Sequence, residues 1–546
     1  MGLMEFWIAA LGLTAGLTLS SRRLMHYFQL ESYQFHGYFK TILRQWKKAM
    51  LPCLALAAFG ALAGVLGQAV SGGRFPLRPE DAAAGWLRAL LGALALAALL
   101  MLGGWLMRWE AMKAAEKKKF ALTARMKRLY AVHALALLGL SCGFCLGFGL
   151  PMWAASAILA ALLPLVAALS AVLALPIEKL IFFLYFHDAE KKLLENDRLI
   201  RIGITGSYGK TSTKFVLATI LSQKYNVLAT PASFNTPMGV TRIIRERLQP
   251  SHQVFIGEMG ARHVGEIKEL CRLVHPQIGL LTAVGPQHLD TFKTIQRIEH
   301  TKYELIEALP PDGLAAFLDD GDIVTRLYRQ TSGKEKLLAG PEGSNAWATD
   351  VRVSQEGSHF LLHLGDWEPI PCDTRLLGEH NIRNILLSAA VARRLGLSRA
   401  EIARGVAALQ PVEHRLQLLR SAGGITVIDD AFNTNPRSSR AALDVLSSFS
   451  GRRVIVTPGM VELGKDEEKY NRKFGEYMAG KVDLAVLVGK KHTQPILDGL
   501  LAKGFSRENV HVVSSLNDAV TLANQFLRPG DVVMYENDLP DHYSEG

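Results

Sequence analysis

Cysteine is scarce, with five in 546 residues at Cys53, Cys142, Cys145, Cys271 and Cys372. An odd and scattered set excludes a disulfide scaffold as the source of stability. Cys142 and Cys145 form a C-x-x-C, but the run around them is uncharged. Nothing there supplies the lowered thiol pKa that redox or metal chemistry needs, and small residues in such a run help helices pack. Charge is sparse too, at 20% of residues, and acid is in deficit: 61 Lys+Arg against 50 Asp+Glu gives +11. With 49% hydrophobic residues and a mean hydropathy of +0.15, the chain is too apolar for disorder and for an ordinary basic nucleic-acid binder. Its length fits about three units of roughly 100–200 residues.

The position of the charges says more than their total. Residues 1–195 hold 20 Lys+Arg and 10 Asp+Glu, leaving 41 against 40 for residues 196–546. The basicity belongs to the apolar part, so it implies membrane topology and no nucleic-acid partner. Five runs are near the ~20 residues that cross ~30 Å of hydrocarbon as a helix: Met4–Leu19, Met50–Val70, Leu87–Met107, Tyr130–Gly149 and Ala155–Ala174. No Asp, Glu, Lys or Arg lies between Arg128 and Glu178, and Gly147, Gly149 and Pro151 mark a turn inside that stretch.

The loops Ser20–Lys48 and Arg108–Arg128 are rich in Lys and Arg, whereas Ser71–Trp86 has only Arg74 and Arg78, offset by Glu80 and Asp81. The positive-inside rule then puts both basic loops, and everything after the last span, in the cytoplasm. A signal peptide is the rival for the first run, but its basic residues follow the apolar stretch instead of preceding it. Tyr27, Phe28, Tyr33, Phe35, Tyr38, Phe39 and Trp46 alternate with basic residues in the first loop. That mixture suits a helix lying among lipid headgroups, as an anchor or as a binding element for a lipid-linked substrate.

From about Pro176 the pattern becomes short apolar runs separated by amphipathic stretches. RLIRIGIT, NVLAT, QVFIGEMG, QIGLLTAV and GLAAFLD read as buried parallel strands, and a second series begins near Gly424 with ITVIDD, RRVIVTPG, LAVLVG, VHVVSS and DVVMYE. The fold class is an α-helical membrane domain of about five spans followed by two α/β domains. Expected boundaries are 1–176 for the membrane domain, 177–196 for a juxtamembrane linker, 197–418 for a P-loop central domain and 419–546 for a smaller Rossmann-like domain.

The strongest local signal is RIGITGSYGKTSTK, Arg201–Lys214. A strand runs into Gly206, Ser207, Tyr208, Gly209, Lys210, Thr211 and Ser212, then into a helical pattern. Glycines let backbone N–H groups close around phosphate oxygens, Lys210 reaches the terminal phosphates and Thr211 suits Mg²⁺. The longer P-loop would need Gly where Ile204 stands, so this is the short G-x-x-G-K-T form. It implies ATP.

Further motifs follow in order: FNTPMGV at Phe234–Val240, EMGARHVGEI at Glu258–Ile267, QHLDTF at Gln287–Phe292 and TKYELI at Thr301–Ile306. LLGEHNIRNILLSAA starts at Leu376, HRLQ at His414 and DDAFNTNPRSSRAAL at Asp429. Together they resemble the Mur ligase family, with a MurF-like flavour in the central and C-terminal domains. The resemblance implies an ATP-dependent amide ligase of cell-envelope (peptidoglycan) synthesis. Such an enzyme activates an acceptor carboxylate as an acyl phosphate, which the amine of an amino acid or short peptide then attacks.

It further implies that Thr211 and Glu258 bind one Mg²⁺ and His288 a second, and that Lys302 becomes a carbamate able to help hold magnesium. Asn381 and Asn384 sit on the adenine side, Arg415 is a hinge arginine near the phosphates, and Asp429 contacts the ribose. Read without the family, the lesser alternatives are a helix-cap carboxylate for Glu258, a surface residue for His288, a salt-bridge lysine for Lys302, and turn formers for Asn433 and Asn435.

The chain departs from the family in three places. Membrane spans stand where a soluble domain would hold a uridine-nucleotide acceptor. TPGMVELG occupies Thr457–Gly464 in place of an L-G-D-M-x-E-L-G-like segment. The end, YENDLPDHY, contains no K-G-S-R-like segment. Nucleotide chemistry is therefore expected intact, while the acceptor is expected to be a different carboxylate, lipid-linked in the fullest version. Two other readings stay open: a membrane poly-γ-glutamate-like synthase, and an ATP-binding, non-ligase component of envelope export or assembly.

Overall fold

The computed structural model describes residues 3–31, 33–70, 120–420, 423–432 and 434–538. The expected span Leu87–Met107, the loop before it, most of the loop after it and Asn433 lie outside these. The chain divides into two compact units, Met1–Phe182 and Phe183–Gly546.

The described residues of the first unit form helices: Leu3–Ser20, Arg22–Leu30, Phe35–Arg44, Trp46–Val70, Ala124–Cys142 and Met152–Ala161, then Leu163–Leu194, which runs on past the unit boundary. A π-helical turn, Gly143–Gly147, ends the fifth. Among the described residues, two stretches are long and apolar enough to cross a membrane, Ala124–Gly147 and Leu163–Leu194; only 22% and 28% of their most apolar windows is buried within the protein. Leu135, Leu146 and Phe148 are 68%, 72% and 78% exposed. Apolar surface of that extent marks a contact surface, for another protein or for a membrane.

Two expectations are revised here. The run Ala155–Ala174 is divided at Leu162, because Pro164 lacks the N–H that would continue the preceding helix. The segment after Pro176 is no separate linker: the helix accommodates Pro176 internally and continues to Leu194. The aromatic loop also splits its residues. Phe28 and Tyr38 are fully buried and stacked at 3.8 Å, and the Tyr38 hydroxyl donates to the Pro164 carbonyl at 2.9 Å, while Phe39 and Trp46 stay exposed.

The second unit carries two sheets. Nine strands make the first: β1 Ile200–Thr205, β2 Val227–Ala229, β3 Val254–Glu258, β4 Ile278–Leu281, β5 Leu314–Leu318, β6 Glu335–Gly340, β7 Ala346–Ser354, β8 Gly357–Leu364 and β9 Ile370–Thr374, in the order β2-β3-β1-β4-β5-β6-β7-β8-β9. It is parallel from β2 to β7 and antiparallel beyond. Six strands make the second: β10 Gln417–Arg420, β11 Thr426–Asp430, β12 Arg453–Thr457, β13 Leu484–Val488, β14 Val510–Val513 and β15 Val532–Glu536, in the order β10-β11-β15-β12-β13-β14. β3, β4 and β5 are buried at every position. That is the demand of a parallel sheet covered by helices on both faces, and it explains their unbroken apolar runs. Helices then begin at the carboxyl ends of the strands, where such sheets bind ligands.

Candidate active site

The phosphate loop is built by β1 and the helix Lys210–Leu221. Gly206 has φ +149°, and a Cβ there would lie 2.1 Å from the Thr282 hydroxyl; Gly209, at φ +78°, opens the helix. Both positions need glycine. The Ser207 N–H donates to the Ala283 carbonyl at 2.7 Å and its hydroxyl donates to the Gly285 carbonyl at 3.0 Å, tying the loop to the segment after β4. Lys210 folds back, its ammonium donating to the Gly206 carbonyl at 2.6 Å. Thr211 and Ser212 follow in the first helical turn.

Glu258, at the end of β3, gathers the next layer. Its carboxylate accepts from the Thr211 hydroxyl at 3.1 Å, the Asn235 amide at 3.1 Å and the Lys214 ammonium at 2.9 Å. Glu258 and Lys214 are both buried. Burial alone would raise the Glu258 carboxyl, but Lys214, Lys210 and the Asn235 bond hold it below its ordinary value. Burial brings Lys210 down to about 8, with Glu258 opposing the shift and Arg415 adding to it. Lys302, in the helix Ile295–Glu307, is 2% exposed and forms no hydrogen bond or ion pair with the described residues. Burial and then the nearby Lys210 bring it down to about 7. Lys210 and Lys214 face the Glu258 carboxylate, Arg415 is near enough to feel its charge and Lys302 lies near Lys210, a concentration of positive charge suited to a polyphosphate.

The second sheet supplies the opposite wall. Glu462 accepts from His288 Nδ1 at 2.6 Å and pairs with Arg262 at 3.5 Å. Burial lowers the His288 imidazole, and Glu462 works against that. Arg415 stacks on Phe432 at 4.4 Å and is near enough to Glu258 to feel its charge. Arg437, opening the helix Pro436–Ser447, is close enough to Tyr208 and His380 to shift their protonation. The α/β unit thus forms a phosphate loop with cationic groups brought to it from a second sheet.

Some expected residues are engaged differently. The Asn384 carbonyl oxygen accepts from the Thr213 hydroxyl at 3.2 Å, so this side chain braces the phosphate-loop helix, and the Asn381 amide donates to Leu377 at 2.9 Å. Asp429 accepts from the Ala431 N–H at 3.1 Å and pairs with His414 Nδ1 at 2.7 Å. Asn435 caps its helix with a full capping box. Lys214, Asn235, Glu462, His414 and Arg437 were not singled out from sequence. Each lies within one of the motif segments, and Lys214 stands one helical turn after Lys210.

These features define a P-loop nucleotide-binding α/β enzyme whose second domain closes against the phosphate site. Residues 204–392 match the Mur ligase middle domain and residues 414–535 the Mur ligase glutamate ligase domain. The UDP-N-acetylmuramoyl-tripeptide–D-alanyl-D-alanine ligase of Mycobacterium bovis is 31% identical over 358 residues, 61% of this chain and 69% of that one. Its Bacillus subtilis counterpart is 28% identical over 339 residues, 61% and 72% of the two chains. The crystal structure of MurF from Acinetobacter baumannii is similar at a TM-score of 0.61 and 26% identity, covering 67% of this chain and 79% of that one. MurF from Thermotoga maritima in complex with ADP shares the fold at 24% identity and a TM-score of 0.59, covering 67% and 82%.

The chain belongs to the Mur ligase family. It is a MurF-like, ATP-dependent ligase. Nothing in these relatives favours the polymerising or the non-ligase reading.

Proposed function

We propose that the protein is a membrane-anchored amide ligase of cell-envelope precursor synthesis, its apolar amino-terminal part crossing the membrane about five times and its α/β domains facing the cytoplasm. A carboxylate oxygen of the acceptor attacks the γ-phosphorus of ATP and ADP leaves. The amine of an amino acid or short peptide then attacks the acyl carbon, phosphate departs with the C–O bond electrons, and the amine loses its proton. The observation that carries this reading is the phosphate loop with Lys210, Lys214 and Arg415 at Glu258 and Lys302 near Lys210, while Glu462 from the loop after β12 holds His288.

Phosphoryl transfer depends mainly on positioning and charge neutralisation. Lys210 and the loop of Gly206, Ser207, Gly209, Thr211 and Ser212 serve the phosphates. Arg415 neutralises charge as it builds, Asn381 and Asn384 shape the adenine side, and Asp429 holds the ribose. The two adjacent oxygen ligands, Thr211 and Glu258, fit one Mg²⁺, a hard ion that prefers oxygen. The ion would neutralise charge on the β- and γ-phosphates.

As an ammonium, Lys302 does not fit a second Mg²⁺ beside His288. A carbamate would, and an amine with its pKa brought to about 7 is substantially neutral, the form that captures CO₂. The exposed apolar helix surface supports membrane anchoring, and basic loops on one side support the orientation. With spans in place of a soluble acceptor domain, the acceptor is a lipid-linked precursor carboxylate. The test is ADP release by the full chain in native membranes given an amino-acid and dipeptide panel, with product mass read directly. Full turnover on soluble UDP-muramoyl-tripeptide and D-Ala-D-Ala without the membrane part would refute the lipid-linked acceptor.

A further inference from the structure

The helical unit holds a shallow, open cleft where the end of the helix Leu3–Ser20 meets the starts of the helices Arg22–Leu30 and Trp46–Val70. Its floor is apolar, from Leu24, Ala49 and Pro52, its rim carries Arg23 and Lys48, and no lining residue is acidic. Pro52 explains how the rim is held. A helical N–H normally bonds the carbonyl four residues back, and proline has no N–H, so Pro52 leaves the Lys48 carbonyl without that partner. Arg23 Nη1 donates to this same carbonyl at 3.0 Å.

That bond fixes the guanidinium at the cleft while using one of its five N–H groups. Its remaining donors and the Lys48 ammonium have no partner among the described residues. The Ser20 hydroxyl is committed to the Gly16 carbonyl at 2.8 Å, so the cations alone provide recognition. One turn further along the same helix Leu51 and Leu54 are 51% and 47% exposed. Two unpaired cations at the polar ends of apolar helices, next to exposed hydrocarbon, match an anionic head on a long apolar tail.

We propose that this cleft binds the phosphate head of a membrane lipid, between Arg23 and Lys48, with the hydrocarbon lying along Leu51 and Leu54. This rests on the amino-terminal unit being membrane-embedded. The shared chemistry is a phosphate ester on a long chain, which a bulk phospholipid and a lipid-linked precursor both carry.

The experiment uses the full chain, delipidated in neutral detergent and titrated with phosphatidylglycerol, a polyprenyl phosphate, diacylglycerol and inorganic phosphate, with bound ligand counted by native mass spectrometry. Both phosphate-bearing lipids are expected to bind above diacylglycerol and above inorganic phosphate. Lys48→Gln, which leaves the backbone bond to Arg23 in place, should weaken them about fivefold, near the value of one basic residue at a lipid surface. Equal retention of diacylglycerol, or lipid binding unchanged in Lys48→Gln with native circular dichroism, overturns the proposal. Preference for the polyprenyl phosphate assigns the cleft to the substrate's carrier, and preference for phosphatidylglycerol to a structural lipid. If alkaline carbonate releases the chain from membranes, the embedded reading itself fails; if the chain stays and binding ignores Lys48, only the cleft fails.

Discussion

The two units bury polar groups by opposite means. Among the described residues of the helical unit the buried polar side chains are neutral, and several serines lean on their own helices: Ser21 donates to the Leu17 carbonyl at 2.8 Å and Ser170 to Val166 at 2.6 Å, with His133 between the two serines at 2.8 and 2.9 Å. In the α/β unit the site buries charge, with Lys214 paired to Glu258 and the Glu462 carboxylate accepting from His288. The first arrangement serves where surroundings are apolar on every side, because helix carbonyls are the nearest acceptors. The second stores electrostatic potential at one place and suits a reaction that develops negative charge.

The largest expected effect tests whether that stored potential is catalytic. Lys210→Ala removes the group that reaches the terminal phosphates, and ADP release should fall at least about a thousandfold, the scale of losing a preorganised charge at a phosphoryl group. A fall of less than tenfold would mean that the cluster is structural only, and the contrast between units would lose its functional side.

Next comes stability. Glu258→Ala leaves Lys214 buried without its counter-charge, at a cost of about 3–5 kcal/mol by denaturant titration of the full chain. Lys214→Met together with Glu258→Leu should recover most of that loss without recovering activity, since an apolar pair replaces a buried ion pair at little cost. Recovery of both would show that neither charge serves the chemistry.

How much of this was legible in the sequence follows the same division. β3, β4 and β5 could be read because parallel strands buried on both faces are continuous apolar runs. β7 could not, since most of its residues are half-buried or exposed and it carries no apolar run. Lys210, Thr211 and Glu258 were legible because local geometry requires those residue types at that spacing. Glu462 was not: its partner His288 is 174 positions away, and only the closed arrangement of two domains joins them. The helix through Pro176 was missed because proline normally argues for a boundary, while here the long apolar helix absorbs it.

Lys302 gives a smaller, pH-dependent test. Its folded value of about 7 lies below the ordinary 10.5, so between those values the unfolded chain binds more protons than the folded one, and stability rises with pH there. The penalty for burying the amine is full below pH 7 and fades as pH climbs toward 10. Lys302→Met should flatten this slope, measured by denaturant midpoints at pH 6.5, 8 and 9.5. In the same window, ADP release by the wild-type chain should rise when bicarbonate is supplied to CO₂-depleted buffer, and the variant should show no such response. An unchanged slope would mean that the amine is already neutral at pH 6.5 or pairs with solvent.

The smallest effect belongs to the helical unit. A neutral His133 ring donates from one nitrogen and accepts at the other, so one of its two serines turns its proton from its own helix carbonyl to the ring. Ser170→Ala removes one ring partner, while the carbonyl at Val166 keeps its backbone bond within the helix Leu163–Leu194. The expected cost is about 0.6 kcal/mol in a detergent unfolding titration, the average for a polar contact between helices in a membrane. A cost above about 3 kcal/mol would show that His133 is held as a cation needing both serines as acceptors. The helical unit would then, like the ligase domains, bury charge.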